Sequence, residues 1–531
     1  MKQLPTGLQV FETIRQRNAL YVDKTDIIYK LVSGSRIQFF LSRPRRFGKS
    51  LLCWTLNALF SGKRELFEGL AISKTDWTWE SYPVIHLDMS KVSTCAGVDG
   101  VKESLIWQTK IIAREHGVDL DGLTLPEIML GNIIIETSQK HNKPVVVIVD
   151  EYDKPFIDFY NKPPMAQEVR DIMRNYYIQF KANEPRIRFL FMTGISKFTK
   201  AGVFSALNNL NDMSLDENFG TLLGYTEKEL AENFGEYLEA GAKKIKCSVD
   251  DLVEKMREYY NGFCFDGVQR VYCPFSVLNF FNGYRFMNYW INSANPQIIA
   301  DYMKDRHITV EQFRGMEVSM DFVSCPGEIE TAPPESFLYQ SGYLTLREGV
   351  TDDFSLDYPN AEVLESMSQL VTMNIVQSEG GNYFIDFRTP LLDAVRNNNA
   401  CLFVETLNRL LASIPYDDYA KAAQPTIRRS GVPAKEWLYR SAILSFLYGC
   451  GVLAFSEPHA SKGRPDLLLC HKGATWVIEI KVAYNDDCAE KAAEALKQMN
   501  DKQYDGPYKN ARKLGVAIDD KTRQVGEWVE G

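Results

Sequence analysis

The sequence lacks the signals that direct a protein into a membrane or out of the cell. Its first residues, MKQLPTGLQVFETIRQ, contain no apolar core of the kind that signal peptides carry. No uninterrupted apolar run reaches the ~18 residues that a transmembrane helix needs. The nearest stretch, residues 438–455, is broken by Arg440, two serines and two glycines, and a buried helix that leads into a strand explains it better. We therefore expect a cytoplasmic protein with no membrane partner.

Patterns for disulfides, zinc and a strongly basic surface are absent as well. The ten cysteines are scattered without a C-x-x-C pair, which is typical of reduced thiols in a cytosolic protein. The six histidines lie far apart and none has H-x-x-x-H spacing, so the sequence predicts no zinc site. The net charge of −9 argues only weakly against a nucleic-acid partner, since an acidic protein can still contain a locally basic groove.

The chain has 531 residues, which is more than one hydrophobic core usually holds. Its pattern of apolar, polar and turn-forming residues changes twice along the chain. Apolar strands first alternate with helices, and runs such as PVVVIVD are typical of a parallel sheet that is buried on both faces. Helices broken by aromatic, glycine-containing turns follow. The last part has the order helix, strands, helix, strand. We predict an α/β protein with domains at 1–215, 216–400 and 401–531, and linkers near 215–222 and 396–432.

The predicted elements of the two outer domains can be stated residue by residue. In the first domain, the strands cover 37–42, 84–88, 145–150 and 187–193, and the helices cover 49–60, 101–116, 126–140 and 165–183. In the last domain, the helices cover 435–448 and 488–500, and the strands cover 452–456, 466–470, 475–482 and 514–518.

A phosphate-binding pattern follows the first strand. The stretch RPRRFGKS, residues 43–50, ends in Gly48-Lys49-Ser50, as a phosphate-binding loop does. The loop amides, the helix N-terminus and Lys49 would attract phosphate, and Ser50 is a candidate Mg²⁺ ligand. However, the pattern G-x-x-x-x-G-K-[ST] requires glycine where this chain has Arg43. Taken alone, the stretch is equally compatible with an ordinary helix start.

The second half of a nucleotide site follows another apolar strand. VVVIVDE, residues 145–151, ends in Asp150, a candidate Mg²⁺ ligand, and Glu151, a candidate base for the attacking water. An acidic strand end that merely meets solvent is the alternative, which the presence of both halves in one domain makes the weaker one. Ser196, after the fourth strand, could sense the γ-phosphate or lie in an ordinary turn. The residues that we expect to bind ATP and its Mg²⁺ are Arg45, Arg46, Phe47, Gly48, Lys49, Ser50, Asp150 and Ser196.

A different constellation lies in the last domain. Asp466 begins one predicted strand, and Glu479 and Lys481 lie on the next, with the spacing D-x12-E-x-K. Side chains two residues apart share one face of a strand, so Glu479 and Lys481 can meet Asp466. The two carboxylates would hold Mg²⁺ and Lys481 would orient or activate water, which is what hydrolysis of a phosphodiester needs. The same pattern also arises by chance, and E-I-K can be a solvated strand edge.

Weaker candidates surround these three residues. Glu436 lies in the first helix of the domain, where a solvated glutamate favoured by the helix dipole is an equal alternative. Gln498 and Tyr504 could be plain surface positions. A group of basic and aromatic residues could line a nucleic-acid groove, although a solvated helix end and loop is the simpler interpretation; the group comprises Lys502, Tyr504, Tyr508, Lys509, Arg512 and Lys513.

Five motifs give the chain a resemblance to a known family. YVDKT (21–25), SRPRRFGKS (42–50), VDEYDKP (149–155), TGISKF (193–198) and QSGYLT (340–345) resemble the AAA-ATPase-like proteins common in gut Bacteroidetes, which carry a C-terminal PD-(D/E)XK nuclease-like domain. The resemblance implies a P-loop ATPase fold, and it implies that Arg43 belongs to the family's usual loop. It also implies that Asp466, Glu479 and Lys481 are the three nuclease signature positions, and that Glu436 is the acid of the first helix.

Three functions remain open at this point. The first is an ATPase whose cycle controls a Mg²⁺-dependent nuclease acting on DNA or RNA. The second is a regulator that binds ATP as a switch and recognises nucleic acid or a protein partner without cutting it. The third is an ATPase with a merely structural C-terminal domain. A homo-oligomer is possible, because AAA-like ATPases often take an arginine from a neighbouring subunit, although Arg45 and Arg46 could act within their own chain.

Overall fold

The structure is a computed structural model. It describes residues 1–159, 162–197, 207, 209–292, 310–319, 333–348, 354–376, 383–414, 434–456, 463–471, 473–485, 487–506, 508 and 510–531. The chain forms two compact units: a first unit of Met1–Ala294 with Gly315–Ala361, and a second unit of Asn295–Arg314 with Glu362–Gly531. The three domain limits predicted above remain a prediction.

The first unit is built on a five-stranded parallel sheet with the strand order β2-β3-β4-β1-β5. Every residue of β3 is buried, because helices cover both faces of the sheet, as its continuous apolar sequence requires. The four predicted strands and four predicted helices are confirmed to within a few residues at their ends. The strands are β1 (Gln38–Ser42), β2 (Val84–Asp88), β3 (Val145–Asp150), β4 (Ile187–Gly194) and the short β5 (Asn211–Asp212). The helices are Phe11–Gln16, Thr25–Ser33, Lys49–Phe60, Gly97–His116, Pro126–His141, Lys154–Ile157 and Pro163–Ala182.

The remainder of the first unit is rich in helices and aromatic turns. Capping boxes at Thr226 and Ser248 start two helices, since each side chain satisfies backbone N–H groups of the first turn. Aromatic rings from the turns pack inward; Tyr260 and Phe286, for example, stack at 5.7 Å. The helices are Glu227–Ile245, Val249–Tyr260, Pro274–Gly283, Tyr289–Asn292 and Pro334–Ser341. The strands are β6 (Phe263–Cys264), β7 (Arg270–Val271), β8 (Met316–Val318), β9 (Thr345–Glu348) and β10 (Phe354–Asp357).

The second unit contains a mixed five-stranded sheet with the order β11-β12-β13-β14-β15. Only β13 and β14 run parallel, because the helix Cys488–Lys502 crosses between them. The predicted order of helix, strands, helix and strand is confirmed. The strands are β11 (Leu453–Ser456), β12 (Leu467–His471), β13 (Ala474–Ala483), β14 (Arg512–Asp519) and β15 (Gln524–Glu530). The helices are Ala361–Val376, Tyr383–Arg396, Ala400–Ala412, Ala434–Gly449 and Cys488–Lys502.

Two parts of the second unit differ from expectation. The stretch 524–530 was not predicted as a strand because its sequence, QVGEWVE, is half polar; it forms β15 at the edge of the sheet. The linker predicted at 396–432 is wrong over its first part, where the helix Ala400–Ala412 is buried along one face by residues such as Phe403 and Leu407. Residues 415–433, including the prolines that suggested a linker, lie outside the described residues.

Candidate functional sites

The stretch RPRRFGKS forms a tight loop between β1 and the helix Lys49–Phe60. Gly48 precedes the helix with a φ of +94°, a backbone conformation that side chains disfavour, so this glycine is required by the turn. The Lys49 ammonium donates hydrogen bonds to the carbonyl oxygens of Arg43 and Pro44, each at 2.9 Å. The loop therefore curls around a buried lysine at a helix N-terminus, which is the arrangement that binds phosphate.

Arg43, which replaces the expected glycine, turns away from the loop interior. Its Nη1 donates to the carbonyl oxygens of Ser42 (2.8 Å) and Ser214 (2.7 Å), and its Nη2 donates to that of Phe219 (3.3 Å). The guanidinium also lies 4.2 Å from the centre of the Phe265 ring. Burial lowers the pKa of Arg43 to about 10, so it stays charged at neutral pH. Arg43 is thus a structural cross-link within the first unit.

The other loop residues are held by the part of the first unit that follows residue 216. Phe47 is buried and packs against Phe263 at 4.8 Å between ring centres. Trp290 Nε1 donates to the carbonyl oxygen of Arg45 at 3.1 Å, and the exposed Arg46 lies over the Phe275 ring at 5.0 Å.

Gly342 supports the loop from another side. A Cβ atom at Gly342 would lie only 2.6 Å from Cβ of Pro44, so the QSGY turn presses directly on the loop. Its φ of +88° also requires glycine.

Two acids at the end of β3 face this loop. Asp150 is buried, and its Oδ1 accepts no hydrogen bond from any described residue. Burial raises the pKa of Asp150, while a hydrogen bond with Ser50 and the charge of Lys49 oppose that rise. An orphaned carboxylate oxygen beside a serine hydroxyl fits a Mg²⁺ ion, which accepts oxygen ligands and retains water.

Glu151 has a strained backbone next to the same lysine. Its φ is +53°, which is unusual for a residue other than glycine and is often found at functional sites. Burial raises the pKa of Glu151; Lys49 lowers it, and Asp150 and Asp153 raise it further. A carboxyl group with a raised pKa beside the phosphate loop is suited to accept a proton from water.

Asp153 is a site residue that the sequence interpretation missed. Its Oδ2 accepts hydrogen bonds from the amides of Ile195 (2.9 Å) and Ser196 (2.8 Å) and from the Ser196 hydroxyl (2.8 Å). Ser196, predicted to sense the γ-phosphate, is therefore occupied by Asp153. The amide of Lys197 donates to Gln340 Oε1 at 2.8 Å, which ties the same strand end to the QSGY turn. The third acid of the VDEYD motif was the available signal for Asp153.

An apolar pocket opens beside Gly48. It was not predicted from the sequence, although the YVDKT motif contributes to it. Lys24 closes one edge, with its Nζ donating to the Thr221 carbonyl oxygen (2.8 Å) and to Glu229 (2.7 Å). The apolar lining comes from Tyr21, Val22, Leu51, Leu222, Leu223 and Pro274.

Asp466, Glu479 and Lys481 of the second unit converge, as their spacing predicts. Leu467 pairs with Ile478, so Asp466 lies opposite Glu479 where β12 begins. The amide of Asp466 donates to Glu479 Oε2 at 3.2 Å, and the amide of Ile480 donates to Asp466 Oδ2 at 2.7 Å. Lys481 Nζ lies 3.3 Å from Glu479 Oε1. The pattern D-x12-E-x-K therefore forms one cluster and not a solvated strand edge.

Burial dominates the electrostatics of this cluster. It raises the pKa of Glu479 to about 8, with Asp466 adding to the rise, and it raises the pKa of Asp466 as well. Burial lowers the pKa of Lys481, but Glu479, Asp466 and Glu436 outweigh it and raise that pKa overall. A divalent cation would relieve this crowding of negative charge, so the two carboxylates fit Mg²⁺ chemically.

Two neighbouring helices complete the site. The helix Ala434–Gly449 brings Glu436 within electrostatic reach of Lys481, and it places Arg440 at 3.5 Å from Asp466. The helix Cys488–Lys502 brings Gln498, which donates hydrogen bonds to Glu479 and to the Tyr504 hydroxyl. Gln498 and the buried Tyr504 are thus parts of the site and not surface positions. No role for Arg440 was predicted from the sequence.

Two residues of the basic group after this helix are paired with acids. Arg512 pairs with Glu530, and Lys513 pairs with Asp505 at 3.3 Å. Lys509 lies outside the described residues. The simpler interpretation, a solvated helix end, therefore fits these residues better than a nucleic-acid groove.

Among the described residues, no group of three or more His, Cys, Asp or Glu side chains is arranged to hold a metal ion. No helix in the described ranges is long and apolar enough to cross a membrane. Both carboxylate pairs suit Mg²⁺, which often takes its remaining ligands from water and phosphate.

Comparisons with known proteins identify both parts of the chain. A family model described as "Predicted AAA-ATPase" matches residues 5–204, and a model of the PD-(D/E)XK nuclease superfamily matches residues 434–528. An uncharacterized protein in the vnfD 5′ region of Azotobacter chroococcum mcd 1 is 30% identical over 540 residues, covering 99% of this chain and 98% of that protein.

Two solved structures are similar only remotely. Cdc6p from Pyrobaculum aerophilum is 10% identical, with a TM-score of 0.23 over 68% of this chain and 94% of that chain. The ORC2 protein from Aeropyrum pernix, solved as ADPNP–ADP complexes, is 11% identical, with a TM-score of 0.23 over 69% of this chain and 94% of that chain. At these values the likeness supports no structural or functional argument.

Proposed function

Because the chain belongs to the family of AAA-ATPase-like proteins with a C-terminal PD-(D/E)XK nuclease superfamily domain, we propose that it hydrolyses ATP and that this cycle controls Mg²⁺-dependent cleavage of DNA or RNA. The single observation that carries the proposal is the convergence of Asp466, Glu479 and Lys481 into one buried cluster. A chain that needed this domain only as a scaffold would have no reason to bury two carboxylates and a lysine together.

ATP binding is supported by the loop and by the pocket beside it. Lys49 and the helix N-terminus would hold the β- and γ-phosphates, and the half-buried Arg45 is close enough to Lys49 and Glu151 to share this role. The apolar pocket next to Gly48 would take the nucleobase. Phe47 would act indirectly, because its ring is used to anchor the loop.

Hydrolysis is assigned to the acids of β3. Ser50 and Asp150 would hold Mg²⁺, which supplies charge neutralisation of the phosphates. Glu151 would take the proton of the attacking water. Asp153 and Ser196 would set the shape of the strand end that faces the γ-phosphate, since Asp153 holds both amides there.

Phosphodiester cleavage is assigned to the second unit. Asp466 and Glu479 would hold Mg²⁺, which supplies Lewis-acid activation of the scissile phosphate. Lys481 would orient the attacking water or stabilise developing charge, and Gln498 would fix Glu479 through its hydrogen bond. Glu436 would keep Lys481 charged.

A second candidate is the nucleotide-gated regulator that binds nucleic acid or protein without cutting. One observation favours it: both carboxylates already accept hydrogen bonds from protein groups, so the cluster is stable as a closed network. A non-cleaving domain would keep that network closed, whereas an active one must open it for the metal.

A cleavage assay separates the two candidates. The full chain is incubated with plasmid, linear DNA and RNA in Mg²⁺ or Mn²⁺, with and without ATP. Cleavage that is lost in Lys481→Ala and kept in Lys513→Ala, a lysine that pairs with Asp505, supports the nuclease. ATP turnover without cleavage of any substrate favours the regulator. Lys49→Ala should abolish ATP turnover, while the surface variant Lys63→Ala should not.

The proposal extends to where the protein is located and how it assembles. We propose a cytoplasmic protein that forms a homo-oligomer when ATP is bound. The exposed Arg46 is the loop arginine that a neighbouring subunit could reach. Light scattering of the chain with and without a non-hydrolysable ATP analogue tests this, and a monomer in both conditions contradicts it.

A further inference from the structure

Arg440 is a buried arginine beside the two carboxylates of the second unit. Its side chain is 6% exposed, and its Nη1 lies 3.5 Å from Asp466 Oδ1. Arg440 follows Glu436 by four residues on the helix Ala434–Gly449, so the two side chains share one helix face, toward Asp466 and Lys481. A buried guanidinium at such a position requires a charge to neutralise, because burying it alone is costly.

The two oxygens of Asp466 are in different situations. Oδ2 is fixed by the backbone amide of Ile480 at 2.7 Å, a bond that belongs to the sheet itself. Oδ1 is the oxygen that faces Arg440. A cation that binds Asp466 through Oδ1 must therefore take the place of the guanidinium.

The charges of the cluster indicate what the displaced guanidinium would meet. Among the described residues, three carboxyls, on Glu436, Asp466 and Glu479, interact with two cations, on Arg440 and Lys481. Adding one divalent cation turns the ionised cluster from a single negative to a single positive charge. One phosphodiester group restores neutrality. A guanidinium is the side chain best shaped to contact that phosphate, because its N–H groups match two oxygens at once.

We propose that Arg440 is the counterion of Asp466 before the metal ion binds, and that it contacts the substrate phosphate once the metal ion has taken Asp466. The inference rests on the proposed nuclease function and adds a residue that the D-x12-E-x-K pattern does not contain. In this role Arg440 limits metal binding in the absence of substrate and strengthens substrate binding in the presence of metal.

Metal affinity is the first test. Mn²⁺ is titrated into the full chain by calorimetry at mildly alkaline pH, where the carboxyls are ionised. Arg440→Gln should bind Mn²⁺ about tenfold more tightly than the wild type, since a competing positive charge has been removed. Arg409→Gln, which removes an arginine packed on Phe387 in the same unit, should leave the affinity unchanged.

Substrate affinity is the second test, and it has the opposite sign. Labelled DNA and RNA oligonucleotides are bound in Ca²⁺, measured by fluorescence anisotropy. Arg440→Gln should bind about tenfold more weakly, and Arg440→Lys, which keeps the charge but not the two-pronged contact, several-fold more weakly.

The outcomes separate this inference from the function on which it rests. A wild-type chain that binds no Mn²⁺ overturns both. Wild-type or weaker Mn²⁺ affinity in a folded Arg440→Gln, or unchanged oligonucleotide affinity, overturns the role of Arg440 alone. Should Arg440→Gln fail to fold, Arg440→Lys provides the test. It should retain wild-type Mn²⁺ affinity and bind the oligonucleotide more weakly than the wild type. Oligonucleotide affinity equal to that of the wild type overturns the inference.

Discussion

Replacing Arg43 by glycine would restore the general phosphate-loop pattern, and we expect it to damage the protein. The variant Arg43→Gly removes three hydrogen bonds from a charged donor and leaves the carbonyl oxygens of Ser42, Ser214 and Phe219 without it. It also removes the contact with the Phe265 ring. A loop that looks more typical by sequence should therefore be less stable in this fold.

The magnitude follows from these contacts. Each carbonyl oxygen that loses its donor in a buried place costs about 1–3 kcal/mol, and the ring contact adds about 1 kcal/mol. Removing a buried guanidinium also recovers several kcal/mol of desolvation, which offsets part of the loss. We expect the free energy of unfolding of the first unit to fall by roughly 3 kcal/mol. Arg43→Lys, which keeps the charge but cannot reach all three oxygens, should lose roughly half as much.

Arg46→Gly is the matched control, three positions further along the chain. Arg46 is exposed and has a φ of +69°, so glycine suits its backbone and the stability should change by less than about 1 kcal/mol. Denaturant unfolding of the full chain, followed by tryptophan fluorescence, measures stability, since five of the eight tryptophans lie in the first unit, and a fluorescent ATP analogue measures binding. Unchanged stability with tighter nucleotide binding in Arg43→Gly would refute the assignment of Arg43 as a structural cross-link.

Three further predictions concern the two sites. Glu151→Gln should slow ATP hydrolysis about 100-fold, measured by phosphate release, while the affinity for a fluorescent nucleotide analogue stays within a few-fold of the wild type. Parallel losses of hydrolysis and of affinity would contradict the role of Glu151 as base. Burial raises the pKa of Glu479 to about 8, so the folded, metal-free chain should lose stability as the pH rises from the ordinary glutamate range through about 8. Its affinity for Mn²⁺ should rise over the same pH range. In thermal unfolding, Glu479→Gln should remove this pH-dependent loss of stability. Gly342→Ala should destabilise the first unit by about 2–3 kcal/mol, because the new Cβ would meet Pro44 at 2.6 Å and the φ of +88° disfavours alanine. A variant that unfolds like the wild type would show that the loop can shift to make room.

The features that could be predicted from the sequence are those that depend on neighbouring residues. β3 was recognisable because five apolar residues in succession must be buried on both faces, and Glu479 and Lys481 were recognisable because alternation places them on one face of a strand. Both conclusions need only the local period of the chain. The nuclease cluster followed from one additional assumption, that β12 and β13 are paired strands.

The features that could not be predicted depend on contacts between distant residues. Arg43 is held by hydrogen bonds to Ser214 and Phe219, which lie more than 170 positions away along the chain. No local sequence pattern predicts these contacts. The occupation of Ser196 by Asp153 depends on how two parallel strands end side by side. Arg440 is one of three charged residues on its helix, with Lys435 and Glu436, and nothing distinguishes it until the helix is placed beside Asp466.

The role of the segment after residue 216 follows from where the loop residues find their partners. Four successive loop residues, Arg43 to Arg46, each contact that segment or the turn before it through a hydrogen bond, a cation–ring contact or close packing. Phe47 completes the series within the same aromatic cluster. These contacts make the part of the first unit after residue 216 the support of the loop 43–47. A shift of this loop would disturb its packing with Phe263, Trp290 or Gly342, which gives that part of the unit a physical means of responding to a change in the loop.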